Sequence, residues 1–330
     1  MTPSAAVLAV SFWCSASDKS WTWTPRPYLG AWLVVGSVLA LALWWNRRGR
    51  PTDSLVRAQT GVATRSSASA GSPVPAELTT PAVSTPTAGG PMEGSTRGRT
   101  VALVLGVLGL WASLDWPLAA LGAGYLATAQ MARQILMVMV VAPLLLFACP
   151  APLAARLVGW GKRLRVLRWT ARPIVAVPVA ALTLVAVNAP AVVDPFLRTP
   201  YGAFVMDGAW TVAGFVLWMP VQCPHPGVRR LTGPIALMYL IGQSIVPVIP
   251  GFFMTWADFP IYRIYELAPR AVSGFDAVTD QQTAAAVLQV GGMALLWTQI
   301  AYRFLRWGYQ QMEQNLPARQ SVSSAAASRP

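Results

Sequence analysis

The sequence predicts an all-α membrane protein, a polytopic helical bundle of about seven transmembrane helices, with the N-terminus outside and the C-terminus in the cytoplasm. Hydrophobic residues make up 55% of the chain and charged residues only 11%. A soluble domain averages roughly 25% charged residues, so this chain cannot cover itself with a solvated surface. Two further observations support the prediction: seven apolar stretches long enough to cross a bilayer, and an uneven distribution of basic residues.

Each predicted span approaches the roughly 20 apolar residues that a helix needs to cross the hydrocarbon core with its backbone groups paired. The spans lie near 29–46, 100–117, 126–149, 173–191, 201–222, 233–256 and 281–303. The chain then divides into an outer N-terminal segment 1–28, a first transmembrane helix 29–46, a linker 47–99, a six-helix membrane core 100–308 and a tail 309–330.

The linker differs in composition from the rest of the chain. Residues 51–98 are mostly Ser, Thr, Ala, Pro and Gly, with few large apolar side chains. Such a segment cannot bury enough apolar surface to offset the entropy lost on ordering. We therefore expect a disordered cytoplasmic linker, and the similar composition after Leu316 predicts a flexible cytoplasmic tail.

The basic residues set the predicted orientation. Of the 25 Lys and Arg residues, 19 fall in segments that are cytoplasmic if the N-terminus is outside. This bias follows the positive-inside rule, so the net charge of +13 is a topology signal and a source of attraction to the lipid bilayer. It does not predict nucleic-acid binding.

Two interfacial segments accompany the spans. Residues 153–169 interleave basic residues with Leu, Val and Trp, which is typical of an amphipathic stretch on the inner leaflet. The outer loop 257–279 carries Tyr262 and Tyr265, which we expect in the aromatic belt at the membrane interface, with contact to a partner as the alternative.

Polar residues inside the predicted spans are the most informative feature, because an ionisable group there costs roughly 2.5–3.5 kcal/mol on insertion scales. Arg133 and Asp207 lie at similar depths in the third and fifth spans, and Gln130 and Gln134 share a helix face with Arg133. The predicted cluster in the outer third of the membrane comprises Gln130, Arg133, Gln134, Asn188, Asp207, Asp280, Gln281 and Gln282.

Two interpretations of this cluster stay open. One is a structural network in which Arg133 pairs with Asp207 and the amides link the helices. The other is an outward-facing site for a metal ion or for residues of a partner. A transporter for a small solute or ion, with a path that begins at Arg133, Asp207 and Asp280, is the alternative function, although the inner halves of the spans are plain Leu, Val and Ala.

Several motifs resemble the seven-helix CtaG family of bacterial membrane proteins, which assist assembly of cytochrome c oxidase. The segment that begins Gln130-Met131-Ala132-Arg133-Gln134 and continues to Pro150 resembles the family signature of HMxQH, a Leu- and Met-rich run and APPLL. Matches in the same order are SLDWPL at 113–118, VNAPAVVDPFL at 187–197, AGFVLWMPV at 213–221 and TDQQ at 279–282.

The resemblance implies a role in biogenesis of a haem–copper oxidase in the bacterial plasma membrane, with an oxidase subunit or a copper donor protein as partner. The family's histidines, its natural copper ligands, correspond to Gln130, Gln134, Asn188 and Asp207 here. Carboxamides are poor ligands for copper. We therefore expect metal binding to be weakened or absent, which leaves a scaffold role. Candidate replacement ligands are Met131, Met206 and Asp207, with Met137 and Met139 on the same helices.

Enzymatic activity is not predicted. The chain has no nucleophile elbow and no phosphate-binding glycine loop. Its one histidine, His225, lies beside Cys223 between two prolines, where a loop residue is the preferred interpretation over a metal ligand. No cofactor is predicted, apart from the copper that the family resemblance implies.

Overall fold

The structure is a computed structural model, and it describes residues 11–47 and 96–327, with side chains as far as Glu313. All regular structure in these ranges is helical. The helices before the fourth span are α1 (Leu29–Arg47), α2 (Thr96–Leu114), α3 (Leu118–Gly124), α4 (Ala127–Ala148), α5 (Ala151–Val158) and α6 (Lys162–Thr170). The later helices are α7 (Pro173–Ala186), α8 (Pro190–Leu197), α9 (Pro200–Gln222), α10 (Gly233–Gln243), α11 (Val248–Trp256), α12 (Arg263–Glu266) and α13 (Ala277–Ala286, Val287–Gly291 and Gly292–Ala327).

The chain divides into two units. One comprises residues 1–35 and 91–330 and contains α2 to α13. The other comprises residues 36–90, of which the structure describes only 36–47, the later part of α1.

The polytopic helical bundle predicted from composition is confirmed. Six of the described helical segments are long and apolar enough to cross a membrane, and a seventh span exists if the bent pair α6 and α7 is counted. The six are α1, α2, α4, α9, α10 with α11, and α13 as far as Glu313.

The fourth span is interrupted where the sequence predicts one continuous helix. The sequence predicts a helix over 173–191, but α7 ends at Ala186, and α8 begins afresh at Pro190. Because Pro190 has no N–H and disfavours helical geometry in the residue before it, the chain breaks there. The preceding helix α6 is bent by 76° relative to α7. The amphipathic stretch therefore does not continue along the axis of the fourth span.

The start of several helices is fixed by local chemistry. Proline lies in the first turn of α7, α8, α9 and α10, where its missing N–H would have no intrahelical partner in any case. The Thr199 side chain accepts a hydrogen bond from Gly202 N at the start of α9, over 3.1 Å. Asp276 caps α13 in the same way, accepting from Thr279 N over 3.1 Å.

The centre of the bundle is the contact of α4 with α9. A Cβ atom at Gly214 would lie 3.0 Å from Ala142 Cβ and 3.2 Å from Val138 Cα, so glycine allows the two backbones to approach closely. Within α4, Leu136–Val141 forms a π-helical turn. Trp218 donates its indole N–H to Val138 O in this turn, over 2.8 Å. The two helices are therefore joined by both packing and a buried hydrogen bond.

The linker prediction falls largely outside the described residues, whereas the backbone of most of the predicted tail is described. The linker is undescribed over 48–95, and α2 begins at Thr96, four residues inside the predicted linker's end. The final helix continues to Ala327, through most of the predicted tail, and 328–330 lie outside the description.

Candidate functional site

Arg133 and Asp207 form a buried ion pair between α4 and α9. Arg133 Nη2 lies 2.8 Å from Asp207 Oδ2, and the two side chains are 2% and 5% exposed. An ion pair exposed to water contributes little to the stability of a fold, but an isolated charge in the apolar interior is very unfavourable. The pair therefore neutralises two charges that neither helix could hold alone.

The other two nitrogens of the Arg133 guanidinium also donate hydrogen bonds. Its Nε donates to Ser113 O at 2.6 Å, and its Nη1 donates to Gln130 Oε1 at 2.9 Å. The guanidinium also lies over the ring of Trp210, 5.7 Å from its centroid. Contacts to three helices, α2, α4 and α9, hold this side chain in one position.

An N-terminal strap (residues 11–28) covers the ion pair. Trp13 donates its indole N–H to Asp207 Oδ2 at 3.0 Å, so the carboxylate oxygen accepts from both Trp13 and Arg133. The strap is fastened along its length, since Ala16 N donates to Leu197 O at 2.8 Å and the Tyr125 hydroxyl donates to Lys19 O at 2.8 Å. The strap thus supplies one of the two hydrogen-bond donors to Asp207 Oδ2.

A second buried carboxylate, Asp115, holds the other end of the strap. Its Oδ1 accepts from Tyr28 N at 3.2 Å and its Oδ2 from the Trp111 indole at 3.0 Å. Cys14 is buried near Tyr28, and burial raises the pKa of its thiol to about 11. Trp13, Cys14, Tyr28 and Asp115 were not among the site residues predicted from the sequence. The signal for Asp115 was a carboxylate at the very end of a predicted span, within the SLDWPL segment at 113–118.

Asp280 caps a helix other than its own. From the first turn of α13, its Oδ2 accepts from Ala127 N at 2.6 Å and its Oδ1 from Thr128 N at 3.0 Å, the first backbone groups of α4. The Thr128 hydroxyl also donates to Asp280 Oδ1 at 2.7 Å. The carboxylate therefore satisfies orphan donors at the positive end of α4 and fixes its start.

The two glutamines after Asp280 have different positions. The buried Gln281 accepts from Ile261 N at 2.6 Å and donates to Met254 O at 3.2 Å, so it holds the loop after α11. Gln282 is exposed. Neither bonds to Arg133, so the TDQQ motif has a structural role in this fold and forms a separate group from the ion pair.

Gln134 and Asn188 line a different cavity, between α4, α7, the break between α10 and α11, and α13. Both side chains are 4% exposed, and Gln134 Oε1 and Asn188 Oδ1 have no hydrogen-bond partner among the described residues. The cavity volume is about 20 Å³, which leaves room for about one ordered water. Met139 lines the same space, and the other lining residues are apolar or backbone-only.

The two loop tyrosines are buried, contrary to the expectation of an aromatic belt. The Tyr262 hydroxyl donates to Asn188 O at 2.8 Å, and the Tyr265 hydroxyl donates to Gly122 O at 2.5 Å. Burial raises the pKa of both phenols well above the ordinary range. The loop therefore folds over the end of the bundle and is held by two buried hydrogen bonds.

The predicted polar cluster thus separates into three groups. Gln130 and Asp207 join Arg133, Gln134 and Asn188 share the small cavity, and Asp280 with Gln281 fixes chain ends. The ion pair of the structural interpretation is present. Because the Arg133 group is buried under the strap, it offers no exposed surface for a partner.

These donors do not suit copper. Copper(I) prefers thiolate, thioether and imidazole ligands, whereas the cavity offers two carboxamides and the thioether of Met139. Asp207 is engaged by Arg133 and Trp13, and Met131 and Met206 are buried among the core residues. In the part of the chain that the structure describes, no three His, Cys, Asp or Glu side chains are grouped as a metal site.

His225 and Cys223 lie at the other end of α9 from Asp207. His225 is a loop residue as predicted, but it is buried, and its ring packs edge-on against Trp160 with centroids 5.4 Å apart. Its Nδ1 accepts a hydrogen bond from Gly227 N at 3.0 Å. Burial raises the pKa of the Cys223 thiol. Both groups stabilise the loop after α9.

The fold and the site define a class: a polytopic membrane protein whose helices are joined at one end by a buried ion pair, a capping carboxylate and a strap. A family model described as "Cytochrome c oxidase caa3 assembly factor (Caa3_CtaG)" matches residues 82–310, well over half of the chain. No curated protein and no solved structure matches the chain. The chain belongs to the Caa3_CtaG family of cytochrome c oxidase assembly factors.

Proposed function

We propose that this protein assists oxidase assembly as a membrane scaffold that carries no copper itself. The proposal is supported by the contacts of the four residues that stand where the resemblance places the family's histidines. Gln130 and Asp207 are bonded to Arg133, and Gln134 and Asn188 face a cavity with a single thioether. A guanidinium beside the candidate ligands would also repel a cation.

The partner under this proposal is a cytochrome c oxidase subunit, in the bacterial plasma membrane, with the strap on the outer side of the bilayer. The strap offers an exposed aromatic face for such a contact, since Trp23 is 66% exposed and its ring meets those of Trp21 and Trp116 edge-on. Aromatic side chains are enriched at protein interfaces because they bury much area with few rotatable bonds. The proposed role is non-catalytic.

Copper content of the purified protein tests the absence of metal. We expect well under one Cu(I) per chain after loading under reducing conditions and removal of free metal. The matched comparison is the double variant Gln134→His, Asn188→His, which places two imidazoles beside Met139 in one cavity. This variant should gain Cu(I) if the cavity corresponds to the metal site of relatives with histidines. Near-stoichiometric copper in the unmodified protein would overturn the proposal.

A further inference from the structure

A basic cleft lies at the end of the bundle where α4 and α9 finish, far from the ion pair. From Arg133 to Cys149 the chain rises about 24 Å along a helix. The described residues that line the cleft are Arg99, Leu146, Phe147, Cys149, Ala151, Gln222, Pro224 and Arg230. Two arginines therefore line one space, and the described lining contains no carboxylate.

Arg230 is positioned with donors to spare. Its Nε donates to Cys223 O at 2.6 Å, which compensates a carbonyl at the C-terminal end of α9. Such capping accounts for one of its five donors. Both Nη groups have no hydrogen-bond partner among the described residues. The planar fork is thus held at one edge and open at the other, which is the geometry that binds phosphate oxygens in pairs.

The charge balance of the cleft favours an anion. Burial lowers the pKa of Arg230, and the positive charge of Arg99 lowers it further. A negative group placed in the cleft would therefore favour the charged form of Arg230.

The surroundings place this cleft at the level of lipid headgroups. The neighbouring helices α5 and α6, with the turn between them, carry five basic residues and two exposed tryptophans, an arrangement typical of a segment on an anionic membrane surface. These residues are Arg156, Lys162, Arg163, Arg165 and Arg168, with Trp160 and Trp169. In the orientation that the basic residues predict, this end is cytoplasmic.

We propose that the basic cleft binds the phosphate of an anionic phospholipid headgroup. The wall formed by Leu146, Phe147 and Ala151 stands beside the guanidinium groups, so it suits the glycerol and acyl portions of a lipid. Inorganic phosphate shares the anionic chemistry but would gain nothing from that wall.

Native mass spectrometry of the full chain in detergent, titrated with phosphatidylglycerol or phosphatidylcholine, tests this proposal. Phosphatidylglycerol should bind more tightly to the unmodified protein. Loss of a charge-assisted hydrogen bond should weaken that binding about tenfold in Arg230→Gln. Arg99→Gln should show a similar loss, and it leaves the bond to Cys223 O in place if Arg230→Gln fails to fold.

The matched control is Arg229→Gln, which removes the same charge from the adjacent, exposed arginine outside the cleft. This variant should bind phosphatidylglycerol like the unmodified protein. Equal loss in all three variants, or equal binding of the two lipids, would overturn the proposal. Displacement of the lipid by millimolar inorganic phosphate would also overturn it, since the cleft would then be an ion site.

Discussion

At the scale of single residues, the fold depends on how completely Arg133 is satisfied. Its Nε, Nη1 and Nη2 atoms each donate to an acceptor, and Asp207 supplies the balancing charge. A charged group inside a membrane persists where such partners replace water. The geometry therefore supports a structural role for this pair. A measurement of protein stability tests that role, and it is independent of any measurement of metal binding.

Asp207→Asn should lower the stability of the protein strongly. It leaves Arg133 charged and buried without a counter-ion, and breaking a buried pair in this way costs about 3–5 kcal/mol. Thermal unfolding in detergent measures the effect. Asp258→Asn, the same change at an exposed position, is the control and should have little effect. Equal unfolding temperatures for the two variants would show that the ion pair contributes nothing.

Cys14 reports on the strap. The pKa of its thiol is raised by burial from 9.0 to about 11, so the neutral thiol dominates at pH 8. We expect slow alkylation at pH 8 in the folded protein, measured by peptide mass spectrometry, and faster alkylation in Trp13→Phe, which loses the bond to Asp207. Equal rates in the two proteins would mean that Trp13 does not hold the strap.

The same thiol predicts a pH dependence of stability. Its folded-state pKa lies above its ordinary value of 9.0, so the folded protein retains the proton to higher pH than the unfolded chain. The contribution is fully present below about pH 9 and is lost as the pH rises towards 11. Cys14→Ser should flatten the loss of unfolding temperature across this window, and an unchanged profile would assign that loss to other groups.

The sequence predicted which residues are unusual better than which residues touch. Arg133 and Asp207 could be paired because charges in apolar spans need partners, and both lie near the start of a predicted helix. Trp13 and Cys14 could not be placed there, because a segment before the first span has no periodicity that fixes its path. Gln134 and Gln130 share a helix face in projection, yet they point into different spaces, which only packing decides.

At the scale of helices, Asp280 connects the start of α4 to α13. Asp280→Ala removes the acceptor for three donors, two of them backbone groups of α4, and should cost about 2–3 kcal/mol through loss of a charged cap. Gln282→Ala, an exposed neighbour, is the control for thermal unfolding. An unfolding temperature lowered equally by both changes would show that the loss is not due to the cap.

Most span positions were predictable to within a few residues, because hydropathy over about 20 residues averages out local detail, although the last helix continues well past the predicted end at 303. The fourth span was not predictable in this way, since the break at Pro190 and the bend between α6 and α7 depend on single residues. The π-helical turns in α4 and α13 have no sequence signal that we recognised. They lie at Leu136–Val141 and Val287–Gly291, beside the cavity lined by Gln134.

At the scale of the whole molecule, family membership and fold agree, while Gln130, Gln134, Asn188 and Asp207, the residues proposed to replace the family's histidines, include no imidazole. A scaffold needs a rigid bundle, and the ion pair, the Asp280 cap and the strap all stabilise one end of it. A rigid bundle without suitable copper ligands is the reason for our proposal that the protein assists assembly without delivering copper.

Rescue by copper tests that proposal most directly. In cells from which the gene is deleted, cytochrome c oxidase activity and subunit levels would be measured in copper-limited and copper-supplemented medium. The scaffold account predicts that both stay low when copper is added and recover only with the gene or with its Met131→Leu, Met206→Leu variant. Recovery of oxidase activity by added copper alone would contradict the account, because the missing protein would then have been a copper carrier.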